Sequence, residues 1–188
     1  MTIMTAAYQW LEAKDCVLVL VDIQGKLAQL MHEKEKLFSQ LQRMIKGALL
    51  FDIPILWMEQ LPEKLGPTIP EITELLPDLR PIPKHAFSCY GEPRFVEALQ
   101  KSGRKRVLLT GIESHVCVYQ SAYHLIEAGY DVTLINDAIS SRDPANRELG
   151  LQRMQALGAT PSSVEMVLFE LQKEAAGERF KPMAQLFK

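Results

Sequence analysis

Residues 17–22 have the sequence Val-Leu-Val-Leu-Val-Asp, and this stretch decides the predicted fold. Five consecutive apolar residues, β-branched at alternate positions, are typical of a strand that is buried on both faces of a parallel sheet. Apolar residues at helical spacing follow over residues 27–51, and a second apolar run follows at residues 53–58. The order predicts a βαβ unit.

The rest of the chain continues the same alternation. Strands are predicted at residues 106–111, 131–136 and 165–171, and helices at residues 93–101, 117–128 and 143–157. Residues 60–83 contain six prolines and are predicted to form a long surface loop. The pattern predicts an α/β fold over residues 1–188, a single-domain, Rossmann-like αβα sandwich of three layers around a mostly parallel sheet.

Composition excludes several functional classes. The chain has 188 residues, 47% of them hydrophobic, and a formal net charge of −2, which disfavours nucleic acid as the main partner. No apolar run approaches the roughly 20 residues that a bilayer requires, and the N-terminal sequence does not resemble a secretory signal. Three cysteines without C-x-x-C spacing favour a reducing compartment, and a cytoplasmic location is expected.

The motifs of common cofactors and of serine hydrolases are missing from the sequence. It contains no G-x-G fingerprint for a dinucleotide, no P-loop and no G-x-S-x-G nucleophile turn. The four histidines are scattered without the spacing of a metal site. We therefore expect neither a cofactor nor a bound metal.

Candidate chemistry lies at the ends of predicted strands. Cys117 follows the strand at residues 106–111 and is expected at the start of a helix, where the helix dipole lowers a thiol pKa and free N–H groups stabilise an oxyanion. Cys117 could equally be a small buried hydrophobe. Asp22 directly follows the first strand, and Lys84 follows two prolines that stiffen its approach. Asp22 could equally be an ordinary carboxylate in a loop, and Lys84 could be a solvated surface lysine.

The sequence resembles the isochorismatase-like cysteine hydrolases, in particular isochorismatase-domain proteins without an assigned substrate. The similarity covers nearly the whole chain and rests on ordered segments: Val-Leu-Val-Asp-Ile-Gln (19–24), Glu-Gln-Leu-Pro-Glu-Lys-Leu-Gly (59–66), Lys-His-Ala-Phe-Ser (84–88), Gly-Ile-Glu-Ser-His-Val-Cys-Val (111–118) and Asp-Ala-Ile-Ser-Ser-Arg (137–142). It implies a six-stranded sheet and assembly into dimers or larger homo-oligomers.

The resemblance also implies a catalytic triad of Asp22, Lys84 and Cys117. It further implies a cis peptide bond between Ile112 and Glu113, with the N–H groups of Glu113 and Cys117 forming an oxyanion hole. Nicotinamidases of this fold bind a metal through histidines after the second strand, and residues 57–62 contain none. Isochorismatases that cleave a vinyl ether generally lack the cysteine, so its presence favours acyl or amide chemistry.

These observations predict a cysteine-dependent hydrolase of a C–N bond in a small amide, an amidohydrolase that works through a thioester. The sequence does not identify the substrate. Trp57, Gln60, His115 and Tyr119 are candidate pocket walls. Two alternatives stay open, a catalytically idle oligomeric scaffold or binding protein, and a redox sensor that pairs Cys117 with Cys89.

Overall fold

The computed structural model describes residues 10–188 and contains a six-stranded sheet whose strands are all parallel. Within those residues, the strands are β1 (Cys16–Val21), β2 (Ile55–Gln60), β3 (Ile82–Lys84), β4 (Arg106–Ile112), β5 (Asp131–Ser140) and β6 (Thr160–Ser162). Their spatial order is β3-β2-β1-β4-β5-β6. The chain therefore adds β2 and β3 on one side of β1 and adds β4, β5 and β6 on the other side. The strand order reverses at the boundary between the neighbouring strands β1 and β4.

Helices cover both faces of this sheet. The α-helices of residues 10–188 are α1 (Gly25–Gln29), α2 (Lys34–Leu50), α3 (Pro62–Leu65), α4 (Pro70–Thr73), α5 (Pro93–Ser102), α6 (Tyr119–Glu127), α7 (Pro144–Ala156), α8 (Val164–Gln172) and α9 (Phe180–Gln185). A π-helical turn, Ser114–Val118, leads from β4 into α6.

Strand β1 explains the two-faced core. Leu18 and Leu20 pack in a cluster with apolar residues of α2 and α8, whereas Val17, Val19 and Val21 pack in a second cluster with α5, α6 and α7. Successive side chains of a strand point to opposite faces, so alternate residues reach opposite helical layers. The predicted α/β sandwich with helices on both faces is confirmed.

Several predicted elements differ from the structure. The helix expected over residues 27–51 is divided into α1 and α2, with Glu33 at a positive φ of 49° between them. The last strand, predicted at residues 165–171, is wrong because α8 occupies that stretch, and the edge strand is Thr160–Ser162. The loop predicted over residues 60–83 contains α3, α4 and most of β3.

Candidate active site

The three residues of the proposed triad lie at the carboxyl edge of the sheet. Asp22 follows β1, Lys84 is the last residue of β3, and Cys117 lies in the π-helical turn after β4. Strands β1 and β4 are neighbours at the point where strand order reverses, which is where open α/β sheets bind ligands. The exposed fractions of the three residues are only 2%, 0% and 8% in the same order.

Gly111 permits the close approach of β1 and β4 beside the site. It has a φ of 118°, and a Cβ placed on it would lie 2.2 Å from the carbonyl oxygen of Val21. Helix α7 presses on the π-helical turn in a similar way, because a Cβ on Gly150 would lie 2.5 Å from Ser114 Oγ. These contacts fix the positions of Asp22 and Cys117 relative to each other.

Lys84 is a buried cation that donates to several protein oxygens. Its Nζ donates to Asp22 Oδ2 at 2.8 Å and to Gln60 Oε1 at 2.6 Å. It also donates to the carbonyl oxygens of Ala86 at 3.2 Å and Phe87 at 2.9 Å. A buried charge is tolerated when it is paired and hydrogen-bonded in this way.

Asp22 uses its two carboxylate oxygens differently. Oδ2 binds Lys84, whereas Oδ1 is buried and makes no well-aligned hydrogen bond within residues 10–188. Burial raises the pKa of Asp22, and Lys84 and the nearby Cys117 thiol partly offset that rise. Within residues 10–188, Oδ1 is thus the carboxylate oxygen without a donor, and the Cys117 thiol lies close to this carboxylate.

The predicted lowering of the Cys117 pKa is wrong. Burial raises the pKa of this thiol, the negative charge of Asp22 raises it further, and Lys84 offsets only part of the effect. Cys117 is also the fourth residue of the π-helical turn, behind its N-terminus. Burial and the nearby carboxylate therefore both favour the neutral form of the Cys117 thiol at rest.

Glu113 begins the turn that carries Cys117. The peptide bond between Ile112 and Glu113 is cis, as the family resemblance implies. The Glu113 carbonyl accepts from the N–H groups of Val116 and Val118, which flank that of Cys117. Its carboxylate accepts from the Arg142 backbone N–H at 2.9 Å and from Arg142 Nε at 3.2 Å, so Arg142 holds the Glu113 side chain in place.

A cavity of about 130 Å³ opens onto Asp22 and Cys117. Its walls are otherwise mostly apolar side chains. The lining residues are Asp22, Leu27, Gln60, Leu65, Phe87, Ile112, Glu113, Val116 and Cys117. The structure therefore brings the carboxylate, the thiol and Gln60 to one small cavity.

The other proposed wall residues lie outside this lining. Trp57 is 7% exposed and packs in the core on the α2 side, where its indole N–H donates to Thr68 Oγ1 at 2.8 Å. His115 Nδ1 pairs with Ser141 Oγ at 3.0 Å, and the Tyr119 ring lies 4.9 Å from the Arg153 guanidinium. Of the four predicted wall residues, Gln60 alone lines the cavity.

Gln24 shapes the site, although the sequence interpretation did not single it out. Its side chain accepts from the Gln60 backbone N–H at 2.6 Å and donates to the carbonyl oxygens of Gln60 at 3.1 Å and Gly66 at 2.7 Å. Gln24 thereby ties the segment after β1 to the end of β2 and to the loop behind it. Gln24 could have been identified from the sequence because it lies two residues after Asp22, at the end of the family segment 19–24.

The described part of the chain carries neither a metal cluster nor a membrane span. Within residues 10–188, no three His, Cys, Asp or Glu side chains are grouped as a metal ion would require. Over the same range, no helix combines the length and hydropathy needed to span a membrane.

The fold and the site define an α/β domain with a cysteine and a carboxylate at its topological switch. The family model described as the isochorismatase domain matches residues 16–166, and the chain belongs to that family. Membership of this hydrolase family supports a hydrolase role.

Similar proteins match most of the chain. The isochorismatase domain-containing protein 2A of Mus musculus is 37% identical over 177 residues, which cover 92% of this chain and 82% of that protein. The MAR1 ribonuclease structure from Caenorhabditis elegans is 31% identical, with a TM-score of 0.88 and coverage of 95% and 92%. The YcaC gene product from Escherichia coli, described as an octameric hydrolase of unknown specificity, is 26% identical, with a TM-score of 0.91 and coverage of 97% and 91%.

Proposed function

We propose that this protein hydrolyses a C–N bond in a small amide, with Cys117 as the nucleophile. The observation that carries the proposal is the shared cavity of Asp22 and Cys117, with Lys84 bound to Asp22 at 2.8 Å. Nucleophilic catalysis requires a thiol, a base within reach and a group that orients the base. These residues supply all three.

Acylation begins with a proton transfer. Asp22 Oδ1 takes the proton of the Cys117 thiol as the sulfur attacks the amide carbonyl carbon, and Lys84 stabilises the carboxylate before the transfer. The backbone N–H groups of Glu113 and Cys117 stabilise the resulting oxyanion. When the C–N bond breaks, protonated Asp22 donates its proton to the leaving amine, and a thioester remains on Cys117.

Deacylation repeats these roles with water. Asp22 accepts a proton from the water that attacks the thioester carbonyl. When the C–S bond breaks, the sulfur leaves as a thiolate and recovers that proton from Asp22. The net reaction converts one amide and one water into a carboxylic acid and an amine, so no cofactor takes part in the proposed cycle.

RNA cleavage is a competing hypothesis, because the Caenorhabditis elegans relative is named a ribonuclease. A phosphodiester carries a negative charge and is recognised by available cations. The charged groups lining this cavity are Asp22 and Glu113, and the neighbouring Lys84 already donates to four protein oxygens. This charge arrangement favours a small amide over RNA.

The idle-scaffold and redox-sensor hypotheses have less support than hydrolysis. An idle scaffold has no use for a buried ion pair next to a thiol. A redox pair of Cys117 with Cys89 would need an oxidant to reach both thiols, yet Cys89 is fully buried and lies outside the cavity lining. We also propose a reducing, cytoplasmic location, since the three cysteines are free. A homo-oligomer is proposed by analogy with the octameric Escherichia coli relative.

The test is a screen of purified protein against small amides, carbamoyl compounds and nitriles. We expect Cys117→Ala to lower turnover of any substrate found by at least about 10³-fold. Cys16→Ala, which removes a buried cysteine far from the cavity lining, is the matched control and should keep its activity. An acyl adduct on Cys117, detected by intact mass, would support the thioester. Equal turnover by wild type and Cys117→Ala would refute the assignment.

A further inference from the structure

We propose that the substrate is an uncharged amide of a short apolar acid, with an acyl group of up to about four carbons. The inference rests on the proposed function and names the class of substrate for the same site. It follows from the cavity's walls, its volume and its charges.

The cavity walls are apolar around the thiol. Leu27, Leu65, Phe87, Ile112 and Val116 surround Cys117. Hydroxyl or carboxylate groups that lie against these five side chains would lose their water without gaining partners from them. The walls therefore favour an unsubstituted hydrocarbon chain.

The volume of the cavity limits the length of that chain. The cavity volume of about 130 Å³ is below the roughly 300 Å³ at which drug-sized pockets begin. It equals the liquid volume of about four water molecules, each close in size to a methylene group. A longer acyl chain would have to leave through the mouth of the cavity or displace a wall.

The cavity wall that carries Leu65 is hydrogen-bonded to the segment that follows β1. Gly25 N–H donates to the Pro67 carbonyl oxygen at 3.0 Å, and Gln24 donates to that of Gly66. A Cβ on Gly25 would lie 2.3 Å from the Leu65 carbonyl oxygen, so the two backbones are in close contact. These bonds resist enlargement of the cavity on this side.

Within the part of the chain that the structure describes, the cavity offers no free cation to a charged substrate. Lys84 is fully buried and donates to four oxygens. Arg142 lies on Glu113, and Lys84 is already bound to Asp22. A substrate carboxylate would therefore be buried next to two carboxylates without a partner, which is strongly unfavourable.

Alkylation of Cys117 tests charge selectivity without requiring turnover. Iodoacetamide and iodoacetate are similar in size, and each forms an S–C bond and releases iodide and a proton. The ratio of their rate constants at Cys117, divided by the same ratio for glutathione, should be at least about ten in favour of the neutral reagent. A normalised ratio near one would overturn the proposal. Cys117→Ala supplies the blank.

A charge placed in the wall sharpens this test. Leu65 is 36% exposed, so Leu65→Arg can add a guanidinium at the mouth of the cavity with little cost in folding. We expect this variant to lower the normalised ratio by at least about fivefold. Leu149→Arg, at an exposed position outside the lining, is the matched control and should leave the ratio unchanged. An unchanged ratio in folded Leu65→Arg would contradict charge selection by this cavity.

An amide series tests size and separates the two proposals. Ammonia release should be faster for butyramide than for acetamide, and at least about tenfold slower for hexanamide and for the anionic succinamate. Cys117-dependent turnover that prefers hexanamide or succinamate would overturn the substrate class and keep the proposed function. If no amide reacts and no acyl adduct forms, the proposed function fails, and the alkylation ratio still decides whether the cavity prefers neutral ligands.

Discussion

Asp22 and Asp137 are two carboxylates beside the same sheet with opposite surroundings. Asp137 lies in the irregular part of β5, where residues 135–138 separate the pairs Leu109 with Leu134 and Gly111 with Ile139. Its Oδ1 accepts from the Val164 backbone N–H at 2.9 Å, and its Oδ2 accepts from Gln40 Nε2 at 2.8 Å. Asp22 instead binds a single cation, its Oδ1 has no hydrogen-bond donor within residues 10–188, and the Cys117 thiol lies close to its carboxylate.

The difference separates a carboxylate that holds the scaffold from one that is available for chemistry. Asp137 connects β5 to α2 and to the start of α8, and neither of its oxygens is left for a substrate. Asp22 is more deeply buried and costs folding energy, because burial raises its pKa. Removing each carboxylate should therefore affect different properties of the protein.

The largest effect is expected for Asp22→Asn. The amide keeps the size of the side chain but cannot accept the Cys117 proton, so kcat/KM should fall by about 10³-fold. In wild type, kcat/KM should fall as pH decreases through the raised pKa of Asp22, because protonation removes the base. Both effects are measured by initial rates on a validated amide substrate.

The same variant should make Cys117 more reactive toward iodoacetamide. The Asp22 charge raises the pKa of the Cys117 thiol, so its removal lowers that pKa and increases the thiolate fraction at mildly alkaline pH. Faster alkylation together with slower hydrolysis is the expected combination. If both rates fell, Asp22 would have a structural role like that of Asp137.

Lys84→Ala should cause the next largest effect, a loss of about 3–5 kcal/mol in the free energy of unfolding. The variant leaves the Asp22 carboxylate buried without its cation, so the pKa of Asp22 rises further above its unfolded value. The folded state then binds more protons than the unfolded state, and the stability of the variant falls as pH rises. Urea denaturation should show a larger loss at about pH 8 than at about pH 5. A pH-independent loss would contradict this account.

Sequence patterns predicted the central strands well because each is a continuous apolar run. They failed where local signals conflicted. The stretch at 165–171 is apolar enough for a strand, but Ser163 accepts from the Met166 N–H and begins α8 as its N-cap. Strand β3 has three residues and includes Pro83, which only an edge strand tolerates, so composition alone favoured a loop.

The residues of the site could be predicted because they lie at strand ends and within the family segments. Their burial and the charges around them could not be predicted from the sequence. The rise of the Cys117 pKa depends on burial and on Asp22, which is distant in sequence. The position of Trp57 was accessible from β2 itself, because Trp57 and Gln60 are an odd number of residues apart and point to opposite faces. That alternation predicts that Trp57 and Gln60 do not line the same cavity wall.

Asp137→Ala is expected to give the smallest effect and no change in chemistry. It removes the acceptors of the Val164 N–H and Gln40, and should cost about 1–2 kcal/mol in the free energy of unfolding by urea. Hydrolysis per folded molecule should stay within about twofold of wild type, because Asp137 lies outside the cavity lining. Asp137→Asn keeps one acceptor oxygen and should recover part of the lost stability. A fall in turnover of about tenfold or more in fully folded Asp137→Ala would show that this carboxylate also supports the reaction, and the contrast with Asp22 would no longer hold.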